Sequence, residues 1–435
     1  MNAPPPPHEH ATHSEPVSES TLTHFRTSLF GTPEWPERFE PPLAAAPDRI
    51  VILCENKLIS LDMILPLAFE LKGERPGLEI EFLFLRRDHM AKVQENYILW
   101  AGMEAVGTIR FLSYGGLSHS NVLQKALNLF RVAKEIGDSR RRRTLLFYRK
   151  DFSGWPVALI ALAVRAGKGA LIGFPSIAYP MSSALLRSLL NQEPSTIHHK
   201  FQADRHLLFH PLQRNEQRRV TCSPMTVIGT TRWFPRWQEF LSRFLGEQGL
   251  RDIDGRPIDP SEKPNILMFY PGNLPLPDLD GPTACRDQMV RTLGAIRRAA
   301  PQARVLIKPH VICDIADLKK ELEAFDDLDI RLTFAHPLAL ARHSVVCTVP
   351  NGTSVIDDMY VTGLTLIDSA RYLPEIRSAE GSLFPNRGRL GCTTDEELES
   401  AFRTALIAPG TLPKPERGHL FWPKSPSLSG LLWRQ

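Results

Sequence analysis

The sequence predicts an α/β protein in two halves, each built on a parallel sheet. Three observations carry this. Short, largely apolar runs of four to eight residues recur, each closed by a polar turn and followed by a stretch with helical spacing, which is the βα repeat of a parallel sheet. About seven such units fill residues 49–228, and a second series starts at Asn265. Between them lies a polar, Pro- and Asp-rich stretch, 246–263, with the composition of a domain boundary.

Residues 1–46 are rich in Pro, His, Ser and Glu and hold too little apolar surface to offset chain entropy, so they read as a disordered tail. An N-terminal domain is expected over 47–235. Its strands are read at Arg49–Cys54, Leu78–Leu85, Gly107–Leu112, Thr144–Tyr148, Gly169–Phe174, Asp204–His210 and Met225–Ile228. Helices are read at Ile59–Lys72, 119–137 and Trp155–Ala166, with an amphipathic stretch around 90–103. A linker, 236–263, begins with a helix at Trp237–Leu245. A C-terminal domain is expected over 264–407, with strands at Asn265–Tyr270, Arg304–Ile307, Ser344–Thr348 and Gly363–Asp368 and helices at 285–299 and Asp395–Ile407. The tail 408–435 carries Phe421-Trp422 and Leu431-Leu432-Trp433 and is expected to pack back on the body.

In parallel sheets, ligands bind beyond the carboxyl ends of the strands. Lys308-Pro309-His310 closes one apolar run, and Asn351-Gly352-Thr353-Ser354 follows the next and opens a helix. A helix N-terminus offers free N–H groups and partial positive charge to a phosphate, Gly352 permits close approach, and the two hydroxyls add donors. The same four residues also serve as an ordinary turn and N-cap. Gly272 and Asn273 follow the first strand of this half and stand where a nucleotide would approach. In the first half, Glu55 and Asp151 each follow a buried strand. Both are also residue types that plain turns use.

This pairing of a strand-ending Lys-Pro-His with a Gly-Thr-Ser turn some forty residues later resembles the C-terminal half of GT-B glycosyltransferases. It is most similar to the bacterial branch of sialyl-, polysialyl- and Kdo-transferases and teichoic-acid polymerases. Val227-Ile228-Gly229-Thr230-Thr231-Arg232 resembles the inter-domain passage of the same group. The chain departs from that pattern at Val311, where a Pro is usual, and in using Thr353-Ser354 for a Ser-Ser or Ser-Thr pair.

The resemblance implies two Rossmann-like domains facing across a cleft, and a glycosyltransferase that uses a nucleotide-sugar donor on a glycan or glycolipid acceptor to build a bacterial surface polysaccharide or lipopolysaccharide. His310, Lys308, Gly352, Thr353 and Ser354 would hold the donor phosphate, and Gly272, Asn273 and Asn351 the nucleotide. Asp151, then Glu55, are the candidate bases. No metal and no cofactor is implied. Two alternatives stay open: a sugar-nucleotide 2-epimerase, which would surround the sugar with several acidic residues and an added His, and a non-catalytic partner subunit.

Composition narrows the setting. Lys and Arg total 52 against 48 Asp and Glu, for a net charge of +4, which is no polycation suited to nucleic acid. The six cysteines show no CxxC pair, which suits a reducing compartment. No apolar run approaches the length of a membrane span, and the N-terminus lacks a signal peptide's charged start and apolar core. A cytoplasmic protein is expected, with peripheral contact at the inner membrane. The basic block Arg140–Arg143 is a solvated helix end or a group that attracts an anionic surface.

Overall fold

The computed structural model describes residues 43, 45–55, 58–112, 122–149, 152, 154–175, 203–209, 213, 217, 221–272, 284–310, 313–349, 358–359, 362–369, 389–414 and 427–433. Two parallel sheets dominate. The first has seven strands: β1 (Arg49–Cys54), β2 (Glu79–Phe84), β3 (Thr108–Phe111), β4 (Thr144–Tyr148), β5 (Ala170–Gly173), β6 (Arg205–Leu208) and β7 (Met225–Val227), in spatial order β3-β2-β1-β4-β5-β6-β7. Helices α1 (Leu58–Glu74), α2 (Arg87–Gln94), α3 (Tyr97–Val106), α4 (Val122–Arg141) and α5 (Val157–Ala166) lie between them.

The chain crosses to the second half through a short 3-10 turn, Thr231–Trp233, and α6 (Pro235–Gln248). A two-residue-wide hairpin, β8 (Leu250–Arg251) and β9 (Pro257–Ile258), occupies the stretch read as linker. The second sheet then forms from β10 (Asn265–Tyr270), β11 (Arg304–Pro309), β12 (Asp329–Leu332), β13 (Val346–Val349), β14 (Leu366–Asp368) and β15 (Arg389–Gly391), in spatial order β12-β11-β10-β13-β14-β15. Its helices are α7 (Ala284–Ala299), α8 (Ile315–Leu322), α9 (Pro337–Arg342) and α10 (Asp395–Ile407). Renumbered from the first strand of each half, the second sheet runs 3-2-1-4-5-6 and the first runs the same with a seventh strand added at the end, the doubly wound order of nucleotide-binding α/β folds. The expectation of two Rossmann-like units is met by the strand order itself.

The apolar runs form strands because both sheet faces are covered. Along β10 the side chains alternate sides: Ile266, Met268 and Tyr270 pack with α7 and α10, while Leu267 and Phe269 join a core shared with the first half. Along β1 the alternation is the same, with Ile50, Ile52 and Cys54 in the shared core and Val51 and Leu53 against α5. That shared core also holds Trp237 and Phe240 of α6 and Leu338 and Leu340 of α9. Four of the six cysteines, Cys54, Cys285, Cys347 and Cys392, are buried as small apolar residues.

The strands β12 and β15 and the hairpin lie outside the sequence reading. β12 is an edge strand whose Asp329-Ile330-Arg331-Leu332 keeps only Leu332 buried, so it has no apolar run to show. β15 is three residues long. The amphipathic stretch near 90–103 resolves into two helices, because Asn96 caps a new one by accepting from Leu99 N at 3.2 Å.

Of the residues read as a tail, 1–42 and 44 lie outside the described residues. Leu43 donates to the Leu432 carbonyl at 2.9 Å and bridges Trp433. Short helix α11 (Leu428–Leu432) rests on α1, where the Glu74 carboxylate accepts from Leu428 N and Ser429 N at 2.8 Å each and from Ser427 Oγ at 2.9 Å. No helix among the described residues is long and apolar enough to cross a membrane.

Candidate functional site

Each sheet has one topological switch point, where the chain leaves its first strand in opposite directions. In the second sheet it lies between β10 and β13. Gly272 follows β10 with φ +84°, the left-handed region that favours glycine. A Cβ there would stand 3.3 Å from Cys313 Cα, so the loop after β10 is pressed against the loop after β11. His310 sits in that second loop. Its N–H donates to the Tyr270 carbonyl at 2.8 Å, and its own carbonyl accepts from Cys313 N at 2.9 Å. The backbone is thus fixed on both sides while the His310 side chain is exposed at the carboxyl edge. Asn273, Asn351, Gly352, Thr353 and Ser354 lie outside the described residues; the last four follow β13, which flanks the same crevice.

Lys308 points elsewhere. Strand alternation puts it on the Leu306 side of β11, toward the shared core. Its Nζ lies 3.4 Å from the Phe334 carbonyl. Burial pushes its pKa down to about 8, against the attraction of the Asp62 and Asp358 carboxylates. Its surroundings among described residues are therefore a buried ionic seam rather than the open edge where His310 stands.

That seam joins the two halves. Arg232, fully buried in the 3-10 turn, meets Asp358 at 2.9 Å and Asp62 of α1 at 3.6 Å. His336, fully buried, caps α9 by accepting from Leu338 N at Nδ1, which leaves Nε2 to carry the proton 3.3 Å from Asp62 Oδ1. Burial lowers the His336 pKa despite Asp62, in keeping with a neutral ring that accepts at Nδ1. Burial raises that of Asp62, but His336, Arg232 and Lys308 outweigh it and hold the carboxyl below the usual range. The ring of Trp237 meets His336 edge-on at 5.3 Å, and Arg342 of α9 reaches Ser242 at 2.9 Å and Gln238 on α6. Sequence reasoning missed this group, because Arg232 and His336 reach Asp62 from distant stretches of chain.

In the first sheet the switch point lies between β1 and β4. Glu55 stands there, half-buried. Its carboxylate accepts from Arg149 Nη2 at 2.5 Å and from the Tyr148 hydroxyl at 3.3 Å. Asp151 lies outside the described residues. A carboxylate clamped by a guanidinium is suited to orienting a hydroxyl that donates to it, and a base in this place must act with Arg149 beside it.

Fold and edge geometry define a two-sheet, doubly wound α/β protein with a topological switch point in each sheet. No protein-family model and no curated protein matches the chain. Solved structures do match in outline. One is a putative UDP-N-acetylglucosamine 2-epimerase from Listeria monocytogenes, 14% identical, with 83% of this chain and 88% of that chain covered and a TM-score of 0.45. Another UDP-N-acetylglucosamine 2-epimerase is 14% identical, with 84% and 89% covered and a TM-score of 0.47. A glycotransferase of kitacinnamycin is 14% identical, with 84% and 92% covered and a TM-score of 0.43. At such identity and TM-score these describe what the chain is similar to in outline, and neither activity is carried over.

Proposed function

We propose that this protein is a glycosyltransferase that binds a nucleotide-activated sugar at the carboxyl edge of its second sheet and transfers the sugar to a glycan or glycolipid acceptor held at the first, in the building of a bacterial surface polysaccharide or lipopolysaccharide. The observation that supports it is the pair of loops after β10 and β11, locked together at Gly272 and Cys313, with the exposed His310 beside the switch point. In this reading His310, with Thr353 and Ser354, holds the donor phosphate and stabilises its charge as the sugar leaves. Asp151 or Glu55 takes the acceptor's proton; Glu55 also orients the acceptor through the carboxylate that Arg149 fixes. No metal or cofactor takes part in it.

One observation bears on the epimerase alternative. The seam gathers Asp62, Asp358 and His336, the residue types that reading asks for. They are buried and engaged with Arg232 and with each other, so a sugar has no access to them, and the transferase reading is preferred. A thermal-shift screen of CMP-, UDP- and GDP-linked sugars, followed by a test for sugar transfer against C2 inversion of the bound donor, separates the two. Transfer supports the proposal, inversion without transfer replaces it by the epimerase, and stabilisation by none of the donors overturns both.

A further inference from the structure

Helices α4 and α5 pack on each other over the face of the first sheet opposite the shared core, and their outer side is unusually apolar. Phe130 is 68% exposed, Leu129 61%, Leu162 52%, Trp155 49% and Leu127 43%. These make five of the seven large hydrophobic side chains exposed among the described residues, and all five lie on α4, on α5 or in the turn that leads into α5. Scattered singly they would need no explanation; gathered on one pair of helices they mark a surface that meets something apolar.

The charges say what. Leu127, Phe130, Lys134 and Arg141 stand at i, i+3, i+7 and i+14, a single stripe of α4. The stripe is apolar in its first half and basic in its second. Lys134, Arg140 and Arg141 are exposed, and Lys168 is exposed after α5. The acidic residues of α4 do not offset them: Glu135 is buried against Arg49 at 2.9 Å, and Asp138 is only half-exposed. A helix face of aromatic and aliphatic side chains continuing into Lys and Arg fits the boundary of an anionic bilayer, with the rings among the acyl chains and the cations at the headgroups.

We propose that the outer face of α4 and α5 docks this protein on an anionic phospholipid bilayer. Trp155 lies just beyond β4, whose carboxyl end carries Tyr148 and Arg149, so docking would set the first sheet's crevice beside the membrane surface. The inference stands on exposure and charge and holds whether or not the transferase reading does.

The test is sedimentation of the full chain with phosphatidylcholine vesicles, with and without phosphatidylglycerol, beside the L129E/F130E variant and the K134E/R140E/R141E variant. The full chain should pellet with the anionic vesicles and stay largely free with the neutral ones. Each variant should lower the partition by about tenfold or more, and added salt should release the protein. Equal binding to neutral and anionic vesicles, no binding to either, or variants that bind as well as the parent would overturn the proposal. So would light scattering that shows a dimer in the parent and a monomer in L129E/F130E, which would make a second copy the occupant. A melting temperature that falls by many degrees in L129E/F130E would place these side chains under the chain's own residues, with the same consequence.

Discussion

Replacing Arg232 by Met should destabilise the protein by about 3–5 kcal/mol, the usual cost of removing one partner from a buried ion pair. Arg232 is fully buried and lies 2.9 Å from Asp358 and 3.6 Å from Asp62, themselves almost without exposed surface. Without the guanidinium, two carboxylates remain in the seam with the half-buried Lys308 and a neutral His336. A flexible, apolar Met fills much of the space but supplies no charge, so the loss is electrostatic rather than a cavity. The size of the effect is a large part of the 5–15 kcal/mol that ordinarily separates folded from unfolded chains. Urea denaturation followed by circular dichroism would read it as a fall in midpoint at similar slope. The control is Arg232→Met with Asp358→Leu, which exchanges the pair for apolar groups and should recover most of the loss, because a buried pair contributes little net stability over well-packed hydrophobes. A loss below about 1 kcal/mol for the single variant, or a double variant no better than the single, would refute a tightly buried seam.

Lys308 gives a pH test of the same region. Its pKa is pushed down to about 8 from 10.5, so between those values the unfolded chain binds more protons and stability should rise with pH; its contribution is complete above 10.5 and lost as pH falls through about 8. Lys308→Met should flatten that slope in denaturation curves taken across the window, and an unchanged slope would show that Lys308 is solvated. Gly272→Ala forces a side chain into the left-handed region and against Cys313 at 3.3 Å, and should cost about 1–3 kcal/mol, read by melting temperature and by weaker donor binding. Glu74→Ala should free residues 427–433 from α1, seen as faster C-terminal trimming by carboxypeptidase with the main melting transition retained. Burial raises the Glu74 pKa, but the hydrogen bonds from Ser429, Leu428 and Ser427 outweigh it, so this anchoring is present above pH 4.5 and is lost as pH falls through the lower folded value.

Much of the fold was legible because both sheets are covered on two faces. A strand buried on both sides, such as Ile266 to Phe269 or Val51 to Leu53, is a continuous apolar run between polar turns, and its position in the chain marks a βα unit. The edge strand at Asp329–Leu332 was not legible, since three of its four residues are only half-buried and the polar Asp329 and Arg331 break the run. The placement of His310, Gly272 and Glu55 just past the carboxyl ends of strands was legible, because each follows an apolar run. What each side chain touches was not. Lys308 reads as a neighbour of His310, yet it lies within β11 on the Leu306 side, facing the shared core, while His310 lies past the end of the strand. His336 and Arg232 carry no motif that points to each other; only the crossing of α6 and α9 brings them to Asp62.

The central claim is that the carboxyl edge of the second sheet holds a nucleotide-activated sugar through His310. Calorimetric titration of the stabilising donor against the parent and His310→Ala tests it most directly. The account predicts affinity weaker by about 1.5–3 kcal/mol in the variant, the worth of a hydrogen bond to a charged group. It predicts an unchanged melting temperature without ligand, since the side chain is exposed and adds nothing to the core. Equal affinity in both proteins, or a variant that no longer folds, would contradict it.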